Sequence, residues 1–373
     1  MEKGKRLQYI DAIRGIAIIW IIFYHLMVAG NFKSFVLNPL MEIFLVFFFF
    51  VSGYFYRPNK ASIWKNIWKR SKALLIPFLV ISIIFWSIGT IYLVATNQAP
   101  FIECLACLRN FFAGCIWNRD IQGWFNLEYF SLGKRYLYLA DFWFLIAMFF
   151  SNIIFFLIAD KVLKKIPFTL LAIVILFTLT GICAGYKYTL PYNLHLVPYW
   201  TAFMLLGAFA GNHKLIELPE LPRVPKYTLG IVLLCAGITI AMIKTPALNQ
   251  FRGTFDGDNQ VISMLLCIAA AVPFILGISM IFHQLELDGL RLKEIGWVGS
   301  HSLVYYLFHM FYAWLISITF NFSLLTMNKW WLALIVILST ILICTLHSLL
   351  KDFTLNKINE YKTKKLAQGK VEE

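Results

Sequence analysis

The feature that most constrains this chain is a series of apolar runs, each long enough to cross the hydrocarbon core of a lipid bilayer. A transmembrane helix needs about 20 mostly apolar residues. Such runs fall near residues 13–31, 39–56, 73–95, 138–159, 167–184, 194–211, 227–243, 260–282, 297–319 and 330–350. Hydrophobic residues make up 60% of the 373 positions and charged residues only 14%, which excludes an ordinary soluble domain. The sequence therefore predicts an all-α, polytopic membrane protein with a bundle of about ten transmembrane helices.

The distribution of basic residues predicts how this bundle is oriented. If the N-terminus is cytoplasmic, 23 of the 33 Lys and Arg residues fall in segments on the cytoplasmic side and nine in segments on the outer side. Loops rich in Lys and Arg stay on the cytoplasmic side of a membrane. We therefore expect both termini in the cytoplasm and a multi-pass protein of the inner (cytoplasmic) membrane. The net charge of +14 follows from this asymmetry and suits anionic lipid heads, so we expect the lipid bilayer as a partner and no nucleic acid.

The rest of the chain indicates a single membrane domain over residues 1–373, ending in a basic cytoplasmic tail at 351–373. The longest segment between predicted spans is 96–137, and its apolar, aromatic middle predicts a short or re-entrant helix. This segment holds the spacing Cys104-x-x-Cys107, but no second pair of cysteines completes a zinc site. We therefore expect no metal.

The first apolar run, YIDAIRGIAIIWIIFYHLMVAG (residues 9–30), carries ionisable side chains that lipid alone does not explain. Arg14 and His25 are eleven positions apart, which is about three helical turns and roughly 16 Å, so both lie on one face. Asp11 shares that face. Ionisable residues inside membrane helices commonly mark a bundle interior or a water-filled path. The alternative is structural, with Asp11 and Arg14 as a boundary ion pair and His25 as a buried, hydrogen-bonded residue.

Two regions add further charged side chains to the first part of the chain. Glu42 lies in the outer half of the second run, and the loop that follows carries six basic residues in sixteen positions, Lys69, Arg70 and Lys72 among them. Clustered Lys and Arg recognise phosphate groups, which favours binding of a polyanion. A purely topological anchor on the cytoplasmic side is the alternative.

The ninth run, IGWVGSHSLVYYLFHMFYAW, contains a second polar stripe. Ser302, Tyr305, Tyr306 and His309 stand at i, i+3, i+4 and i+7, which places them on one helix face. We expect Tyr306 and His309 to line the interior of the bundle. The alternative is that this stripe only supplies hydrogen bonds between packed helices.

Taken together, these motifs resemble the membrane acyltransferase family 3 proteins, which move acyl groups from a cytoplasmic donor onto carbohydrate at the outer face. The resemblance runs from residue 7 to about residue 312. Its residues are Asp11, Arg14-Gly15 and His25 in DAIRGIAIIWIIFYH; Ser52-Gly53 in FFFFVSGY; the basic stretch before Pro77; WFL at 143–145; Gly207 in FMLLGAFAG; and SLVYYLFH at 302–309. This chain carries Lys69-Arg70-Ser71-Lys72 where relatives have an Arg-x-x-Arg pair.

The resemblance implies an acyl-coenzyme A-dependent O-acyltransferase of the cell envelope, most simply an O-acetyltransferase that modifies polysaccharide. The donor would be acetyl-coenzyme A or another short acyl-coenzyme A, and the acceptor a carbohydrate or lipid-linked carbohydrate. Arg14 with Lys69, Arg70 and Lys72 would then hold the donor phosphates. His25 would act as general base or would carry the acyl group covalently.

The same resemblance suggests roles for the remaining polar residues of the interior. Glu42 would orient His25 or the incoming hydroxyl, and Tyr306 and His309 would stabilise an oxyanion or bind the acceptor. A different class of function stays open from the residues alone. A transporter or exporter of polysaccharide or lipid-linked sugar would use the same polar interior without any bond chemistry.

Overall fold

The computed structural model is almost entirely helical where it describes the chain. It describes residues 7–29, 37–58, 62–112, 143–186, 190–244, 248–249, 254–255, 259–320 and 329–369. Within these ranges the strands are two residues each, β1 (Leu248–Asn249) and β2 (Thr254–Phe255), paired antiparallel. The predicted all-α class is therefore confirmed.

Nine helical segments of the described chain are long and apolar enough to cross a membrane. They belong to α1 (Gln8–Ala29), α3 (Ile63–Ala95), α5 (Trp143–Val162), α6 (Ile166–Gly185), α7 (Val197–Asn212, with a 3₁₀ turn at Pro191–Leu196 before it), α8 (Arg223–Lys244), α9 (Gln260–Leu287), α11 (Ser302–Thr319) and α12 (Trp330–Gly369). Helix α2 (Leu37–Tyr54) adds a shorter apolar segment at Leu40–Tyr54. Each of the ten predicted runs therefore has its helix.

Two short helices complete this part of the fold, α4 (Phe101–Phe112) and α10 (Lys293–Ser300). Helix α4 confirms the short helix predicted within 96–137, and the indole N–H of Trp86 on α3 donates a 2.7 Å hydrogen bond to the carbonyl of Cys104 on α4. Residues 113–137 of that segment lie outside the described residues.

The ninth predicted span needs a correction at its start. The sequence suggested one continuous run from residue 297 to 319, whereas the structure ends α10 at Ser300 and begins α11 at Ser302, with His301 between them. The physical reason is the packing of α10 on α1: a β-carbon on Gly299 would clash with the backbone carbonyl of Asp11. Helix α10 therefore lies directly on α1, and the helix long enough to span starts only after His301.

Local sequence signals fix where several helices begin. Ser62 caps α3 by accepting a 3.3 Å hydrogen bond from the backbone N–H of Lys65. Asn259 caps α9 by accepting from the N–H groups of Val261 and Ile262, each at 3.1 Å. Such caps satisfy backbone donors that a helix start leaves unpaired. They stand at the boundary where polar loop residues give way to an apolar run.

Helix α1 occupies the centre of the bundle. It packs against α2, α9, α10, α11 and α12, and its residues Ile13, Ala17 and Ile22 are completely buried. Helices α6 and α8 lie at the periphery. Only 22% of the most apolar stretch of α6 and 17% of that of α8 is buried, and their exposed aliphatic side chains face outward. The polar residues of the first predicted span are therefore held inside protein rather than in lipid.

Small residues bring α2 and α7 into backbone contact. A β-carbon on Gly53 would clash with the carbonyl of Met204, and one on Gly207 would clash with the carbonyl of Phe50. Glycine is the residue that permits such close approach. The two glycine motifs of the sequence therefore meet in one helix pair, next to the polar interior.

Candidate functional site

The structure pairs two of the predicted site residues, His25 of α1 and His309 of α11. Nδ1 of His25 lies 2.9 Å from Nε2 of His309, and the two rings are nearly parallel at 9° with centroids 5.1 Å apart. His309 is completely buried, and His25 is partly buried. We call these two residues the histidine pair.

The second ring nitrogen of His309 is also engaged. Its Nδ1 lies 2.9 Å from the carbonyl oxygen of Tyr306 and 3.0 Å from that of Tyr305, both in the preceding turn of α11. Backbone carbonyls of a regular helix do not move independently, so they hold the imidazole ring in one orientation. The helix itself thus positions the histidine pair.

A second site lies where α1, α2, α3 and α11 meet. Arg14 donates from Nη2 to the hydroxyl of Ser302 at 2.9 Å and from Nη1 to the carboxylate of Asp11 at 3.1 Å. Arg70 donates from Nη2 to the hydroxyl of Ser52 at 3.2 Å. Its guanidinium lies near enough to Arg14 for the two positive charges to repel each other. We call Arg14, Arg70, Ser52 and Ser302 the arginine cluster.

The structure also separates the basic residues predicted from the loop into an inward-facing one and two exposed ones. Of the three basic residues expected to bind phosphate together with Arg14, Arg70 turns inward to Ser52 and lies within electrostatic range of Arg14. Lys69 and Lys72 are exposed, and the ammonium of Lys72 lies 5.0 Å from the ring centroid of Trp68, which is itself 64% exposed. The structure therefore brings together two guanidinium groups, and it leaves the two lysines on the surface of α3.

Tyr306 connects the histidine pair to the aromatic core. Its ring lies 6.4 Å from that of His309 and 5.4 Å from that of Phe144 on α5. Phe144 belongs to the WFL motif, and the neighbouring Trp143 packs on Trp200 of α7 at 5.6 Å. The structure therefore supports the expectation that Tyr306 and His309 share one part of the interior.

Glu42 of α2 is buried in the bundle. It is 4% exposed, and its carboxylate interacts electrostatically with Tyr199 of α7. The contacts described for His25 are with His309 and with the ring of Tyr24. The role of Glu42 in orienting His25 or the acceptor hydroxyl therefore stays a prediction.

Sequence reasoning missed several partners of these sites. Asn152 of α5 is buried and approaches the hydroxyl of Ser52, with 3.4 Å between Oγ and Oδ1. His301, at the break before α11, binds Asp352 of α12 through Nε2 at 2.9 Å. An asparagine in the middle of one apolar run and an aspartate just past the end of another were the available signals. The partner of each residue lies outside that residue's own helix, 100 positions away for Asn152 and 51 for Asp352, so no spacing within one helix predicts the contact.

A polar chain beside the arginine cluster was missed for the same reason. The hydroxyls of Tyr9 and Tyr54 lie 2.9 Å apart, and Tyr54 donates a 2.6 Å hydrogen bond to Glu217. A third phenol, Tyr56, lies just beyond α2 and donates to Asp160 at 2.7 Å, and burial raises its pKa well above the usual range. These contacts tie the ends of α1, α2 and α5 together.

The described residues contain no group of three or more His, Cys, Asp or Glu side chains that could hold a metal ion. Cys104 is a buried free thiol, and the side chain of Cys107 lies outside the described residues.

Comparison with protein families assigns the chain to a known family. The family model for acyltransferase 3, described as an acyltransferase domain, matches residues 7–349. The match extends past the expected limit near residue 312 and takes in the first half of α12. No curated protein and no solved structure matches the chain. Since the family match covers nearly the whole chain and the helices suit a bilayer, this protein belongs to the acyltransferase 3 family and is a multi-pass membrane acyltransferase.

Proposed function

We propose that the protein is an O-acyltransferase of the inner membrane that moves a short acyl group, most simply acetyl, from cytoplasmic acyl-coenzyme A to a hydroxyl of a cell-surface or lipid-linked carbohydrate. One observation carries the proposal. Helix α1 presents Arg14 and His25 to the interior, and each is joined there by a residue of matching chemistry, Arg70 and His309 respectively.

The arginine cluster suits the phosphates of the donor. Two guanidinium groups that repel each other gain from an anion placed between them, and guanidinium binds phosphate through paired hydrogen bonds. The Lys and Arg distribution predicts that this end of α1 lies at the cytoplasmic surface, where acyl-coenzyme A is available. The nucleotide end of the donor would therefore stay near the aqueous boundary.

The spacing along α1 suits the remainder of the donor. From Arg14 to His25 the helix rises roughly 16 Å. The thin, extended arm of coenzyme A ends in the thioester, and it can follow the helix from the phosphates toward the histidine pair. The acyl carbon would then meet His25 inside the bundle, away from bulk water.

The acyl transfer at His25 can take either of two forms, and atoms and protons balance in both. As general base, His25 takes the proton from the acceptor hydroxyl while the hydroxyl oxygen attacks the thioester carbon. The C–S bond breaks, and the proton passes to the coenzyme A thiolate. As acyl carrier, an imidazole nitrogen first attacks the thioester carbon, and coenzyme A leaves as the thiolate. The acceptor oxygen then attacks the acyl carbon, the C–N bond to His25 breaks, and the hydroxyl proton passes to the thiolate. Both forms need an unprotonated ring nitrogen on His25.

Transport of polysaccharide without bond chemistry is the competing function. A polar interior also suits a transport path. The family match favours acyl transfer, as does the specific pairing of two imidazoles at hydrogen-bond distance.

A complementation experiment tests the proposal. Cells that lack the protein receive the wild type, His25→Ala or His213→Ala, and the O-acyl content of their surface carbohydrate is measured. His213 is an exposed histidine at the end of α7 and serves as the matched control. We expect acylation with the wild type and the control but not with His25→Ala. Normal acylation with His25→Ala, at equal protein level, would contradict the proposal.

A further inference from the structure

We infer that His309 is a positioning residue that fixes which nitrogen of His25 is free to react. In this arrangement the proton of neutral His25 sits on Nδ1, and Nε2 carries the lone pair that serves as base or nucleophile. The inference deepens the proposed function, because it names the reacting atom of the same site.

His309 is the fully buried member of the histidine pair. Nδ1 of His309 lies 2.9 and 3.0 Å from two backbone carbonyl oxygens, those of Tyr306 and Tyr305. A carbonyl oxygen only accepts hydrogen bonds, so Nδ1 must carry the hydrogen. A neutral imidazole has one N–H and one acceptor nitrogen. Nε2 of neutral His309 is therefore an acceptor.

The position of the hydrogen on the His25 ring follows from that of His309. Nε2 of His309 faces Nδ1 of His25 at 2.9 Å, so Nδ1 of His25 must be the donor. The lone pair of neutral His25 is left on Nε2. Because His309 has no exposed surface, placing even one positive charge on the histidine pair is strongly disfavoured. The pair therefore enters the reaction neutral, with one defined arrangement of protons.

The arrangement also supports the charge that develops during the reaction. When Nε2 of His25 takes the proton of the acceptor hydroxyl, the Nδ1–H of His25 becomes a stronger donor toward His309. The carbonyls of Tyr305 and Tyr306 in turn stabilise the added positive character of His309. His309 thus fills the part that a carboxylate fills when it orients a catalytic histidine, but it does so without introducing a buried negative charge.

Nitrogen NMR of the full-length protein in detergent tests the tautomer directly. Protein labelled with ¹⁵N-histidine is compared with His25→Ala to identify the His25 signals. Protonated and unprotonated ring nitrogens resonate far apart, so their positions in the ring can be assigned. We expect Nδ1 of His25 to be protonated and Nε2 to be unprotonated at neutral pH. The opposite arrangement would overturn the inference.

Kinetics of three variants test the consequence for the reaction. We expect His309→Ala to lower kcat about 100-fold, the upper range for loss of an orienting partner, while the Kd of acetyl-coenzyme A changes less than twofold. His309→Gln, whose amide can both donate to the carbonyls and accept from His25, should recover at least tenfold of that loss. His347→Gln is the matched control, because His347 of α12 bonds Tyr312, one turn further along α11 than the histidine pair, and the change should leave kcat unchanged.

The outcomes separate this inference from the function it rests on. If the wild type transfers acyl groups but His309→Ala keeps full kcat, or if Gln recovers nothing, His309 does not position His25. If the wild type transfers no acyl group from any acyl-coenzyme A, the proposed function fails while the NMR result still decides the tautomer. Should His309→Ala fail to fold, His309→Gln and the wild-type spectrum decide the question.

Discussion

The arginine cluster and the histidine pair are built on the same two helices, yet their side chains are held in different ways. The contacts Arg14–Ser302 and His25–His309 follow the same order along α1 and α11, so these helices run parallel through both sites. In the cluster, two cations bond small hydroxyls, and the Arg14 side chain is 26% exposed. In the pair, the two imidazole rings bond each other, and His309 also bonds the backbone of α11.

The difference indicates a division of labour between the two sites. Hydroxyl partners let a guanidinium adjust to a ligand, and the two nearby positive charges favour binding of an anion. Backbone carbonyls allow no such adjustment, so the histidine pair is preorganised before a substrate arrives. We therefore expect changes in the cluster to affect donor affinity and changes in the pair to affect the rate of the chemical step.

The largest effect should come from His25. We expect His25→Ala to lower kcat for acyl transfer at least about 1,000-fold, since the base or acyl carrier is lost. The Kd of acetyl-coenzyme A, measured by calorimetry on purified protein, should stay within threefold of the wild type. Loss of donor binding together with rate would break the proposed division between the two sites.

Removing the arginine cluster should have the next largest effect. Each charge-assisted hydrogen bond contributes about 1.5–3 kcal/mol, so we expect Arg14→Ala or Arg70→Ala to weaken donor binding about 10- to 100-fold. The rate at saturating donor should fall less than fivefold. Titration of binding against salt provides the check, since affinity for a polyanion decreases as ionic strength rises. An equal loss of kcat at saturation would show that the cluster takes part in the chemistry.

The hydroxyl partners should have a moderate effect. Ser302→Ala removes the hydroxyl acceptor of Arg14 but leaves its carboxylate partner Asp11, and Ser52→Ala removes the hydroxyl acceptor of Arg70. A neutral hydrogen-bond partner is worth about 0.5–1.5 kcal/mol, so each change should raise the KM for donor about two- to tenfold with kcat preserved. Ser87→Ala, on an exposed part of α3, is the matched control and should leave KM unchanged. If Ser302→Ala lowers kcat instead, the two sites are less separate than their geometry indicates.

The smallest effect should come from the surface lysines of α3. Neutralising Lys69 and Lys72 together should raise the KM for donor less than threefold, because exposed charges act weakly through water and salt. Neutralising all three basic residues should cost little more than Arg70→Ala alone. A loss that follows the lysines rather than Arg70 would show that the donor phosphates lie on the surface of α3.

Much of the fold followed from the sequence because the signals are local. The apolar runs gave the helices, and the eleven-residue spacing of Arg14 and His25 correctly placed both on the buried side of α1. The break at His301 was missed because it depends on the contact of Gly299 with α1, and no pattern within the run reports that contact.

The candidate site was predictable residue by residue but not as a set of pairs. His25 and His309 are 284 positions apart, so their contact depends on how α1 and α11 pack. The rotation of α3 decides that Arg70 faces inward and that Lys69 and Lys72 do not, and it cannot be read from a loop rich in basic residues. For Glu42, burial was foreseeable, whereas its proximity to Tyr199 was not.

The most direct test of the account asks where the acyl end of the donor lies. An acyl-coenzyme A whose short acyl group carries a diazirine is bound to the purified protein, irradiated, and its adducts are mapped by mass spectrometry. We predict adducts on α1 within residues 21–28 and on α11 within residues 305–313, and we predict that excess acetyl-coenzyme A removes them. Adducts confined to the peripheral helices α6 and α8, or to the segment around Lys69 and Lys72, would contradict a path from the arginine cluster to the histidine pair.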